Sequence, residues 1–144
     1  MIIAQTTMSG KKLFGGKGSL VDIAGHYAKI GYTGVDLSFH ESADKSDKNN
    51  PLVRADWRMW AAISKEELEE RNILPVQAHS PIFNAFSKDI SNLEEKLEMM
   101  KKSIMISGLL GIPWVVVHLN TDYLNNRPSI NMKRNIEFYK PLLE

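Results

Sequence analysis

Four short apolar runs alternate with four longer stretches of helical periodicity along this chain. The runs occupy positions 2–6, 33–39, 74–79 and 113–119. Each is short and bounded by turn residues, as a buried strand should be. The last holds three consecutive valines, a composition that suits a strand covered on both faces.

The helical stretches carry their own punctuation. Ser19 stands at an N-cap position with Asp22 three residues on, the spacing of a capping box. Leu20, Ile23, Ala24, Tyr27 and Ile30 then repeat near 3.6, and Gly31 is a natural stop. A second helix is predicted over about 55–71. Trp57, Trp60, Ala61 and Leu68 form its stripe, which Ser64 interrupts. The third has Ser91 as a candidate cap, a stripe of Leu93, Leu97, Met100 and Ile104, and Gly108 or Gly111 to close it. The fourth is predicted to begin near Ser129 and to carry Ile130, Ile136, Phe138, Leu142 and Leu143. Pro141 should kink it or start a fresh turn.

This β-α-β-α-β-α-β-α order predicts an α/β fold with parallel strands joined by helical crossovers. Periodicity alone does not separate an open doubly wound sheet from a closed barrel. The glycine-rich stretch 10–18 lacks G-x-G-x-x-G and the Walker pattern, so it reads as a mobile loop without dinucleotide chemistry. Positions 40–56 are polar and charge-mixed, and read as a long, lid-like loop at the exit of strand two.

Composition narrows the function classes. Eighteen basic and seventeen acidic residues leave a net charge of +1, which gives no electrostatic reason to expect nucleic acid or an anionic membrane as partner. With no cysteine there is no disulfide, zinc ribbon or thiol nucleophile. No apolar run approaches the roughly 20 residues that span a bilayer, and the N-terminus lacks the pattern of a signal peptide. A soluble, cytoplasmic protein is the expectation.

Ligands of parallel α/β proteins gather at the C-terminal ends of the strands. His79 ends the third run and His118 stands near the end of the fourth. Adjacent strands lie about 4.8 Å apart, so the two rings could share one metal or one substrate oxygen. His40, after the second run, lies at the same end. Asp36, inside the second run, could face the barrel interior as a buried, hydrogen-bonded acid or orient a neighbouring group, and a structural role is the expectation. Asn84 and Asn120 lie in the loops after the two key histidines, where their amides could hold hydroxyls or form turns. Glu41 reads as a surface carboxylate, and His26 lies inside a helix, far from the strand ends. Without cysteine or G-x-S-x-G, acyl transfer has no nucleophile. Two histidines fall short of the three protein ligands a catalytic metal usually takes.

Three segments resemble the xylose-isomerase-like TIM-barrel superfamily. Gly31-Tyr32-Thr33-Gly34-Val35-Asp36-Leu37-Ser38 is similar to its second strand. Ala78-His79-Ser80-Pro81-Ile82-Phe83-Asn84 resembles its third-strand H-x-P motif, and Gly111-Ile112-Pro113-Trp114-Val115-Val116-Val117-His118 its fourth strand. The resemblance spans essentially the whole chain, in order. It implies a (β/α)8 barrel with a divalent metal (Mn, Mg or Zn) at its mouth, held mainly by residues of strands five to eight. It also implies a small-molecule substrate, a sugar or sugar phosphate, and a role for His79 and His118 at the metal or in catalysis. His40, Asn84 and Asn120 would then line the substrate site. In the superfamily's endonuclease IV-type branch, residues matching His79 and His118 are zinc ligands. That branch continues its fourth strand with H-P-G, whereas this chain reads His118-Leu119-Asn120.

Positions 1–144 are thus expected to form a single domain, the first four βα units of such a barrel. A complete barrel takes roughly 250 residues, and the last helical pattern stops without a cap. The leading expectation is a sugar or sugar phosphate isomerase/epimerase whose isolated first half is inactive. The alternatives are a metal-dependent apurinic endonuclease and a non-catalytic half-barrel that self-associates, for example as a homodimer.

Overall fold

The computed structural model describes residues 1–16, 18–40, 50–123 and 127–142. β1 (Ala4–Thr6), β2 (Gly34–Ser38), β3 (Leu74–His79) and β4 (Val115–Val116) form one four-stranded sheet in the order β1-β2-β3-β4. Every neighbouring pair is parallel, as the alternating pattern predicts. Five helices accompany the strands: α1 (Thr7–Leu13), α2 (Leu20–Lys29), α3 (Trp57–Glu70), α4 (Leu93–Leu109) and α5 (Pro128–Tyr139). A 3₁₀ turn over Lys140–Leu142 follows α5, so Pro141 does open a fresh turn. No helix among the described residues is long and apolar enough to cross a membrane.

Each strand lies beside its sequence neighbour, with no reversal of order among these four, an arrangement compatible with the first half of a barrel. Right-handed crossovers then place successive helices on one side. Burial agrees with that arrangement. Val35, Leu37 and Ala78 on one side of the sheet are buried. Asp36, Ser38, Gln77 and His79, paired with one another on the other side, are only partly covered. The core lies between sheet and helices and includes Ile23 and Tyr27 of α2, Ala61 and Leu68 of α3, and Ile106 of α4.

Ser19 caps α2 as predicted: its side chain accepts from the Asp22 N–H, and the Asp22 carboxylate accepts from the Ser19 N–H. The Ser19 hydroxyl, which also donates to Asp22 Oδ2, and then the Ser19 N–H hold the Asp22 carboxyl below its usual range. Five expectations need correction. The stretch 10–18 is not wholly loop, because residues 10–13 belong to α1. Thr6 caps that helix, Lys11 and Lys12 sit in its last turn, and Gly15 and Gly16 end it at positive φ. Strand four is two residues long and only half-buried, because it is an edge strand. Its neighbour Trp114 is 72% exposed. On α4 the buried face is Met99, Met100, Ser103, Ile106 and Ser107, a rotation from the predicted stripe. Ser103 and Ser107 can be buried because their hydroxyls donate to carbonyls of their own helix. The cap of α4 is Asn92, at positive φ, and not Ser91. On α5 the predicted Ile130 and Ile136 are exposed, and Asn135 is the buried residue.

Gly10 explains why α1 can lie so close to α2. A Cβ there would fall 2.4 Å from Ile23 Cγ2 and 2.9 Å from the Tyr27 hydroxyl. That hydroxyl donates to the Thr6 carbonyl at the end of β1. Gly10→Ala should therefore destabilise the protein by about 1–3 kcal/mol through overpacking, measurable as a lower urea midpoint.

Candidate metal centre

Three histidines meet at the C-terminal rim of the sheet. His79 is the last residue of β3, His40 follows β2 by two residues, and His118 follows β4 by two. Backbone bonds align these exits: Phe39 N–H donates to the His79 carbonyl, and Ser80 N–H to the Val116 carbonyl. One ring nitrogen from each histidine lies within 4.8 Å of the others. The His40 and His118 Nε2 atoms are 3.3 Å apart, and the His40 and His79 rings meet edge to face at 4.9 Å between centroids. The third imidazole supplies what the pair of His79 and His118 lacked.

The donor set fits a divalent d-block metal. Neutral imidazole suits zinc, copper, iron or nickel, and three protein ligands with an open position describe a catalytic site. Metal–nitrogen bonds of ~2.0–2.1 Å in a tetrahedron put ligand nitrogens about 3.3–3.4 Å apart. The His40–His118 pair already has that spacing. The widest pair, within 4.8 Å, would close as the rings turn. All three histidines are partly exposed.

Beneath the rim, His79 meets two residues that share its side of the sheet. Its Nε2 is 3.3 Å from Asp36 Oδ2 and 3.2 Å from Gln77 Nε2. Gln77 Nε2 in turn donates to Asp36 Oδ2 at 3.1 Å. Asp36 Oδ1, His79 Nδ1 and Ser80 Oγ are buried without a hydrogen-bond partner among the described residues. Gln77 was not singled out from sequence, although strand alternation puts it on the same face as His79.

Asn84 and Asn120 are engaged elsewhere. Asn84 Nδ2 donates to the Thr121 carbonyl, and its Oδ1 accepts from the Thr121 and Phe86 N–H groups. Asn120 is buried. Its Oδ1 accepts from Ala85 N–H, and its Nδ2 donates to Tyr139 Oη and to Asn135 Oδ1. Tyr139 donates onward to the His118 carbonyl. Burial pushes the Tyr139 phenol up from its ordinary value, which keeps the proton it donates. These bonds tie the loops after β3 and β4 to α5 and so hold the backbone that carries His118. His26 lies on α2 against Phe14, away from the rim. Glu41 and most of the loop after β2 lie outside the described residues.

A cleft of about 280 Å³ is lined by Lys11, Leu37, Trp60 and Ser64, on the helix-covered side of β2; the three histidines do not line it. Neither a protein-family model nor a curated protein matches the chain.

Proposed function

We propose that this chain forms the first four βα units of a (βα)8-barrel enzyme that uses a divalent metal, held by His40, His79 and His118, to isomerise or epimerise a sugar or sugar phosphate. The observation that carries the metal is the convergence of three imidazoles from three adjacent parallel strands at one rim. The barrel is supported by a strand order without reversal and by β1 and β4 standing at the two edges of the sheet among the described residues, where further strands would pair. The sugar carbonyl as substrate is supported by the resemblance of three strand motifs to the xylose-isomerase-like superfamily.

When bound, a metal there supplies Lewis-acid polarisation of a substrate oxygen. The residues of this chain do the rest of the work at that rim. The three imidazoles hold the ion with positions left open, and the Tyr139–Asn120–Asn135 network keeps the His118 backbone in place. Carboxylates that move the proton next to the carbonyl would come from the remaining strands.

The test is exchange of solvent deuterium. Assembled with the complementary four units and loaded with Mn²⁺ or Zn²⁺, the protein should place deuterium next to the carbonyl of a ketose or ketose phosphate. The His79→Ala/His118→Ala protein should not. Deuterium uptake that survives both substitutions contradicts the role given to these residues. The imidazole-rich ligand set also favours zinc, and with it a second reading, phosphodiester cleavage at abasic DNA. Strand cleavage of abasic DNA without deuterium exchange would select that reading.

A further inference from the structure

We infer that Asp36 is the positioning residue of His79: its carboxylate accepts a hydrogen bond from Nε2–H and thereby makes Nδ1 the nitrogen that His79 brings to the metal. A neutral imidazole carries one ring N–H, and the group it meets decides which nitrogen has it. Asp36 Oδ2, His79 Nε2 and Gln77 Nε2 stand at the corners of a nearly equilateral triangle, with sides of 3.1, 3.2 and 3.3 Å. Two arrangements are possible. In one, the Gln77 amide donates to His79 Nε2 and the proton sits on Nδ1. Nδ1 is buried without a partner, so this leaves a buried N–H with no acceptor. It also sets the Nε2 lone pair against a carboxylate oxygen. In the other, Gln77 and His79 both donate to Asp36 Oδ2, and the short distance between their nitrogens reflects one shared acceptor. What is left over is then a lone pair on Nδ1, which is what a metal needs.

The second arrangement gives the ring N–H of His79 an acceptor and leaves no buried ring N–H orphaned. It also gives the partnerless Nδ1 a purpose. Metal-bound histidines characteristically donate their other N–H to a carboxylate, which orients the ring and strengthens it as a ligand. Asp36 and Gln77 belong to strands β2 and β3, in register with each other, so the triangle is built on sheet and not on loop.

The metal part of this inference rests on the metal-centre reading; the tautomer part does not. Nitrogen-15 NMR of the metal-free wild-type chain should find His79 as the Nε2–H tautomer. A Nδ1–H tautomer overturns the assignment, and this result needs no variant to fold. In Asp36→Ala the preference for Nε2–H should fall away, and affinity for Zn²⁺ should drop 10–100-fold. Unchanged tautomer and affinity in that variant overturn the positioning role. Failure of the wild-type chain to bind Zn²⁺ at all would remove the metal centre, and with it Nδ1 as a ligand, while the tautomer result would still decide the Asp36 contact.

Discussion

Replacing His118 with alanine is expected to weaken Zn²⁺ or Co²⁺ binding by about 100-fold or more, equivalent to about 3 kcal/mol. The His118 Nε2 is 3.3 Å from the His40 Nε2, and that pair has the ligand spacing of a tetrahedral site. Its loss leaves two imidazoles, too few to hold a catalytic ion tightly. Competition against a chromophoric chelator reads the change directly. His26→Ala is the control, because His26 packs against Phe14 on α2 and should leave affinity unchanged. Equal losses from the two substitutions would point to binding at surface histidines and not at the rim. The metal-free stability of the His118 variant should change little, since the ring is partly exposed.

Asn135→Ala should produce the largest loss of stability, about 3–5 kcal/mol. The side chain of Asn135 bonds both backbone groups of Asn120: its Oδ1 accepts from the N–H at 2.7 Å, and its Nδ2 donates to the carbonyl at 2.8 Å. Asn120 is buried, so neither group can turn to water instead. Each orphaned group costs ~1–3 kcal/mol. Asn135→Asp should not rescue the loss, because a carboxylate presents an acceptor to the Asn120 carbonyl. Urea unfolding measures both variants. A midpoint shift worth less than about 1 kcal/mol for Asn135→Ala would mean that α5 is held by something other than this network. Such a result would be surprising, since Ile130, Met132 and Ile136 on that helix are exposed.

That contrast shows where sequence periodicity succeeds and where it stops. The α2 stripe of Leu20, Ile23, Ala24 and Tyr27 is buried as its spacing predicts. An apolar stripe facing an apolar sheet has no competing solution, and the Ser19–Asp22 box marks where it starts. On α5 Ile130, Met132 and Ile136 are exposed, Phe138 meets the edge of the Phe86 ring, and the buried residue is polar. Asn135 could not be found by hydrophobic spacing, because what holds it in place is three hydrogen bonds with one distant residue, Asn120. Helix α1 escaped for a related reason. Its sequence carries a glycine in mid-helix and few apolar residues, and Gly10 is there for the close contact with Ile23 and Tyr27, which is tertiary. Ser103 and Ser107 rotated the buried face of α4 in the same way, by bonding within their own helix.

The site was legible in part. His79 and His118 stood out because a histidine next to an apolar run marks a strand end, and strand ends converge in parallel sheets. His40 was harder to place, since strand two ends at Ser38 and the ring reaches the others from the loop beyond it. Asp36 was visible as a carboxylate inside a strand, but its partner was not. The register that pairs it with Gln77 includes an irregularity between Val35 and Asp36, which no count of alternating positions anticipates.

X-ray absorption at the zinc edge tests the three-imidazole rim most directly. The Zn²⁺-loaded wild-type chain should show one tightly held ion per chain with three imidazole nitrogens at about 2.0–2.1 Å. A zinc ion surrounded by oxygen alone, or by a single imidazole, would contradict the metal centre.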